Sequence, residues 1–283
     1  MKLRILVLAT STFISTALAC AAEPVPENFK RENLVAWCIV PFDAKKRNPA
    51  ARSEMLDRLG LKRCAYDWRK QHVAEFETEI EEYKDHGIEF FAFWSEHDAA
   101  FSLFQKHGIT PQVWKTLPSP KADSQEERVA KAVAAMLPLA EKTKALGVKF
   151  GLYNHGGWGG QPENLVAVCE ALHAKGYDHV GIVYNFHHAH FDLENFADKF
   201  AKMKPHLLCL NLNGMKDPDK FDVKKLPDKI VPIGSGELEA GLIRSVIDSG
   251  YAGPVGILGH IASEDVEVVL KRNLEGLERL LTK

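Results

Sequence analysis

A repeated alternation constrains this chain more than any single motif. Eight short runs of apolar, β-branched and aromatic residues occupy 33–42, 61–68, 88–94, 110–117, 148–155, 179–186, 207–214 and 254–260. Amphipathic stretches at 49–59, 73–86, 98–107, 125–146, 163–175, 192–203, 237–249 and 262–281 separate and follow them. The first pattern predicts strands and the second helices. Most of the strand runs are continuously apolar rather than alternating, which suits a parallel sheet covered on both faces. Several open just after a glycine (HGIEFF, HGIT, LGVKF, KGYDHVGIV, SGYAGPVGIL), the residue that best tolerates the left-handed turn ending a helix. Eight strand–helix units predict an α/β fold, a single closed (β/α)8 barrel spanning 23–283. A doubly wound open sheet is the alternative. It wants a glycine-rich phosphate turn after its first strand, and VPFDAKKRNP stands there instead.

Residues 1–22 read differently. Lys2 and Arg4 precede the apolar run ILVLATSTFISTALA, and small residues follow, the pattern of a secretory signal peptide cleaved after Ala19 or Ala22. The run is short and rich in Ser and Thr for a membrane span, so none is expected. ALAC at 17–20 weakly resembles a lipobox, a variant in which Cys20 would become a lipidated N-terminus. Export is expected, to a periplasmic or secreted location. An oxidising compartment would permit a disulfide between Cys38 and Cys64 on consecutive strands; buried free thiols are the simpler reading for Cys38, Cys64, Cys169 and Cys209. With a net charge of −2 and no basic stripe, nucleic acid is not an expected partner. The oligomeric state is not legible.

In barrels of this kind chemistry gathers at the C-terminal strand ends. Those ends carry Asp67, Trp68 and Arg69; Trp94 and Glu96; Lys115; His155 and then Trp158; Asn185, His187, His188 and His190; Asn211; and His260. Amides and charged groups suit hydroxyls, and indoles suit the apolar faces of sugar rings, so the expected ligand is a small-molecule carbohydrate.

At these residues the chain resembles the xylose-isomerase-like barrels, the sugar isomerase/epimerase superfamily. The resemblance rests on LYNHGGW after the fifth strand, Asn185-x-x-His188 after the sixth, LNLNG on the seventh and PIGSGELEAGLIRSVIDSGYAGPVGILGH to the end of the eighth. It implies a Glu, Asp, His and Glu around one divalent metal on strands five to eight. Those places hold Tyr153 or Asn154, Asn185, Asn211 and His260 here, a ring that offers hard cations little. Either His155, His188 and His260 hold a transition ion such as Zn or Mn, or no metal is used and the same imidazoles serve as acids and bases.

The resemblance implies isomerisation, epimerisation or β-elimination by proton transfer next to a sugar carbonyl. Its expected machinery is Glu96 or His188 as base, His155 as its counterpart, and Lys115 or a His-bound metal at the oxyanion. Asp67, Arg69, Asn185, Asn211 and His260 would hold hydroxyls between the platforms Trp94 and Trp158. A sugar-binding barrel that has lost the metal site is the alternative from another class. Glu237 is expected to complement the dipole of the following helix, and the charges at 216–225 to be solvated surface.

Overall fold

The computed structural model describes residues 24–282; the expected signal peptide, Cys20 included, lies outside them. Eight parallel strands close on themselves in chain order: β1 (Val35–Trp37), β2 (Arg63–Tyr66), β3 (Glu89–Trp94), β4 (Gln112–Thr116), β5 (Phe150–Tyr153), β6 (Val180–Asn185), β7 (Leu207–Leu212) and β8 (Val255–Leu258). Val35 pairs with Arg63 on one side and Gly256 on the other, which seals the ring. The fold is a (β/α)8 barrel.

The outer layer contains α1 (Pro49–Leu59), α2 (Phe76–Asp85), α3 (Asp98–His107), α4 (Gln125–Leu146), α5 (Pro162–His173), α6 (Phe196–Met203), α7 (Leu226–Lys229), α8 (Glu239–Asp248) and α9 (Val266–Leu281). Local chemistry sets their ends. Asn48 caps α1 by accepting a hydrogen bond from the Ala51 amide at 2.9 Å, with Pro49 in the first turn. Ser124 does the same for α4 through the Glu127 amide. Gly108 and Gly147, with φ of 64° and 69°, end α3 and α4 in the left-handed conformation that the sequence pattern anticipates. The single turn α7, inside the long β7–α8 connection, has no forerunner in the pattern.

Successive strand residues face opposite sides of the wall. Ala36, Cys64, Tyr66, Phe93 and Phe150 pack outward against the helices. Val35, Trp37, Ala65, Phe91, Trp114, Tyr153, Val183, Cys209 and Leu258 pack inward. Trp114 is the largest fully buried side chain, and a glycine on the neighbouring strand makes room for it. A Cβ on Gly151 would sit 2.7 Å from Trp114 Cδ1 and 2.5 Å from Val183 Cγ2.

The two cysteines considered for a disulfide lie on opposite sides of the wall, because Cys38 has left β1 and breaks its alternation. Cys64 belongs to the outer layer, where the Tyr83 hydroxyl donates to its Sγ at 3.0 Å, whereas Cys38 packs inside the barrel. All four described cysteines are buried free thiols.

Candidate active site

The inward-facing residues at the C-terminal strand ends enclose a cavity of about 250 Å³. Trp37 and Cys38 reach it from β1, with Phe42 just beyond; Asp67 and Arg69 come from the end of β2 and Trp94 from β3. Tyr153 and His155 come from β5, His187 and His188 from the turn after β6, and His260 from the end of β8. Leu226, Lys229 and Ile230, on and just after α7, form the remaining side. Cys38 has left the sheet with φ of 57°, which turns the chain over the mouth.

One carboxyl faces this space. Asp67 is 1% exposed; its Oδ1 accepts a hydrogen bond from the Val40 amide at 3.2 Å, and its Oδ2 has no partner among the described residues. Burial disfavours the charged form and raises its pKa to about 7, against the opposing pull of the Val40 amide and Arg69. Arg69 turns Nη1 to the Asp67 and Trp68 carbonyls, at 3.2 and 2.7 Å, and lays its guanidinium over Phe42, 5.4 Å from the ring centre.

The imidazoles form a chain. Ring centres of His155 and His188 lie 4.2 Å apart, those of His188 and His187 3.9 Å, and those of His187 and His260 6.4 Å. Burial, reinforced by neighbouring cations, keeps all four neutral. His155 is lowered, His187 lies well below the usual range, His188 falls to about 2 and His260 to about 4. Lys229 Nζ stands 3.2 Å from His188 Nδ1. An ammonium can only donate, so Nδ1 accepts and His188 carries its proton on Nε2. Burial also lowers the pKa of Lys229.

Three buried asparagines, Asn154 just after β5, Asn185 on β6 and Asn211 on β7, bond to one another. Asn211 Nδ2 donates to Asn185 Oδ1 at 2.8 Å, and Asn185 Nδ2 donates to Asn154 Oδ1 at 2.7 Å. Asn154 Nδ2 then donates to the Asn185 carbonyl at 3.1 Å. The ladder leaves no space on β8: a Cβ on Gly256 would lie 2.0 Å from Asn211 Oδ1.

Of the residues expected at the site, Asp67, Arg69, Trp94, His155, His188 and His260 converge on the cavity. Asn185 and Asn211 are consumed in the ladder. Glu96 and Lys115 pair with each other at 2.6 Å and are absent from the cavity lining. Trp114 faces inward, so its neighbour Lys115 faces the other side of the wall. The Trp158 indole donates to Gln125 Oε1 at the start of α4 and is likewise outside the lining. Tyr153, named at the end of the fifth strand without a role, also lines the cavity, and Trp37 and Lys229 are additions that the strand-end reading did not select. Glu239 is structural: its carboxylate receives the amides of Met215, Gly234 and Gly236 at 2.9, 2.9 and 2.8 Å.

The fit of a divalent metal follows from the donors. A hard cation needs charged oxygens, and the ladder offers neutral ones already in use: Asn154 and Asn185 accept from their neighbours in the row, and Asn211 Oδ1 accepts from the Cys209 thiol at 3.5 Å. Among the described residues, the groups of three or more His, Cys, Asp or Glu with ligand atoms within 4.8 Å of each other are Cys169–His173–His206 and Glu77–Glu81–His107. His155, His188 and His260 are not such a group. Neither set that does converge lines the cavity, and His173 Nε2 lies 2.7 Å from the Val180 carbonyl, a hydrogen-bond distance.

No curated protein sequence matches the chain. Solved structures share its fold. The 3-keto-D-glucoside 4-epimerase of E. coli superposes with a TM-score of 0.62 at 14% identity, over 90% of this chain and 100% of that one. A D-tagatose 3-epimerase-like protein gives 0.63 at 13%, over 88% and 97%. The IOLI protein with a zinc atom bound gives 0.67 at 14%, over 88% and 97%. The family profile described as xylose isomerase-like TIM barrel matches residues 41–280, and the chain belongs to that family.

Proposed function

We propose that this protein is an exported enzyme that moves a proton next to the carbonyl of a sugar, the general chemistry of isomerisation, epimerisation or β-elimination. The observation that carries this reading is the buried carboxyl of Asp67, one oxygen of which has no partner among the described residues, on the lining of a cavity it shares with neutral imidazoles, a lysine and two indoles. A general acid–base works best with a pKa near the operating pH, and burial brings this carboxyl to about 7. In the proposed step, the Asp67 carboxylate takes the carbon-bound proton while the C–H electron pair moves toward the carbonyl oxygen. The enolate oxygen is met by the Nε2–H of His188, with Lys229 behind it; a neutral imidazole is a suitable electrophile for such a step. For an isomer, His188 Nε2 passes its proton to the enolate oxygen and takes one from the adjacent hydroxyl, which becomes the new carbonyl, while Asp67 returns its proton to the former carbonyl carbon. Trp37 and Trp94 would hold the ring by its apolar face.

The matching fold of a keto-glucoside epimerase and a tagatose-epimerase-like protein supports the carbohydrate class. Glu96 and Lys115, paired outside the cavity lining, are assigned no chemical step in this proposal. No step is routed through a metal, because the donors at the cavity do not fit one. Export rests on the leader pattern at 1–22, and N-terminal sequencing of the protein recovered from its host checks it.

A second reading is a sugar-binding barrel without turnover, favoured by the amides at the positions where the family carries carboxylates. Incubation with a panel of keto sugars and sugar acids in D2O, followed by proton NMR, separates the two. The proposed enzyme exchanges a carbon-bound proton of one substrate, and Asp67→Asn and His188→Ala each slow that exchange about a hundredfold or more. Saturable binding without exchange supports the second reading. Full exchange by both variants would refute the residue assignment.

A further inference from the structure

The charge inside the cavity is unbalanced. Two permanent or near-permanent cations, Arg69 and Lys229, line it against one carboxyl, Asp67, that burial keeps near its titration point. Among the described residues, no carboxylate lies within 4.0 Å of Lys229 Nζ or of the Arg69 guanidinium, although most other lysines and arginines near the strand ends are paired: Arg47 with Asp43, Asp265 and Glu267, Lys115 with Glu96, and Lys216 with Asp228. The recorded polar partner of Lys229 is neutral His188. Arg69 spends Nη1 on two carbonyls, and no bond is recorded for its Nη2 or Nε. Both cations are half-buried, and a partly desolvated cation without a counter-charge favours an anionic ligand. The flat guanidinium fork matches a carboxylate in two-point geometry, and the ammonium adds a point charge.

We infer that the ligand of this cavity is a sugar acid, a carbohydrate carrying a carboxylate that Arg69 and Lys229 hold while the rest of the ring lies against Trp37 and Trp94. The inference rests on the proposed function for the existence of a carbohydrate site and adds its charge. It also gives α7 a purpose: that single turn brings Lys229, from an otherwise long connection, to the mouth.

Isothermal titration with D-glucuronate, D-galacturonate and D-gluconate, set against D-glucose, D-galactose and glucose 6-phosphate, tests it. At least one carboxylate-bearing sugar is expected to bind ten times or more tighter than its neutral counterpart, and to weaken as salt rises. Lys229→Met is expected to lose about tenfold in that affinity, Lys229→Arg to keep most of it, and Arg69→Gln to match the methionine variant. Circular dichroism of each variant guards against misfolding, and the Lys229→Arg rescue stays informative if Arg69→Gln does not fold. Equal affinity for neutral and acidic sugars, or preference for the phosphate ester, overturns the sugar-acid inference while leaving the proposed function standing. No binding by any member of the panel counts against both.

Discussion

Asp67 keeps its proton to about pH 7 because it is sealed from water and one oxygen has no donor. That has a stability consequence independent of any substrate. A carboxylic acid in the unfolded chain titrates near 4. Between about pH 4 and pH 7 the native protein therefore holds a proton that the unfolded chain has released, and stability falls as pH rises through that window, by up to about 4 kcal/mol from this residue alone. Asp67→Asn removes the titration and keeps an oxygen for the Val40 amide. The variant is expected to gain melting temperature over the wild type at pH 8.5 and to gain little at pH 4.5. A pH-independent difference would show that the carboxyl is not held protonated. Asp67 was legible in the sequence as a charged residue at a strand end, as were Arg69, Trp94, His155, His188 and His260. The rule says which end of a strand matters, but not which way each side chain points. Glu96 and Lys115 satisfied it equally well, and only the inward packing of Trp114 shows that Lys115 faces away. Lys229 satisfied no rule, since it sits in a charged connection many residues beyond β7.

At the level of elements, the strand and helix pattern translated almost directly into the barrel, helped by local chemistry at several boundaries: Asn48, Ser124, Gly108 and Gly147 begin or end helices by themselves. The β7–α8 connection lacks such signals and is held by a long-range device. Glu239, 1% exposed, gathers three backbone amides from Met215, Gly234 and Gly236, and no charged side chain is paired with it among the described residues. GSGELE reads in sequence as a helix start with Glu237 in the first turn, whereas α8 begins at Glu239, whose carboxylate folds back to staple the loop. Hydrogen bonds to a charged acceptor contribute about 1.5–3 kcal/mol each, not additively. Glu239→Ala is expected to lower stability by about 3 kcal/mol and to speed amide exchange at Met215 and Gly236 before other loops respond. Because the same connection carries α7 and Lys229, ligand affinity should fall with it. Unchanged exchange at those amides would mean that the loop is held by something else.

Across the whole molecule, the barrel has the architecture of its family, and amides stand at the ends of three of its strands. Asn154, Asn185 and Asn211 run across three adjacent strands as one hydrogen-bonded row, neutral and saturated. The cations, Arg69 and Lys229, line the cavity instead, with the buried carboxyl of Asp67 beside them. A neutral row gives a divalent ion no charge to bind, and it resists conversion to one. Asn211 Nδ2 donates to Asn185, so an aspartate there would set oxygen against oxygen, and Gly256 leaves it no room to turn aside. The proposed reaction would draw its electrostatic stabilisation from fixed cations and imidazole N–H groups rather than from an ion. Prolonged dialysis against EDTA is accordingly expected to leave the melting temperature and the proton-exchange rate unchanged, and added Mn2+, Mg2+ or Zn2+ to raise neither. Raising the salt concentration should weaken substrate binding instead, because the working charges are side chains facing a solvent-connected cavity. Loss of exchange on chelation, restored by one of those ions, would show that the imidazoles of His155, His188 and His260 rearrange around a metal in solution and that the row of amides is not the centre of the chemistry.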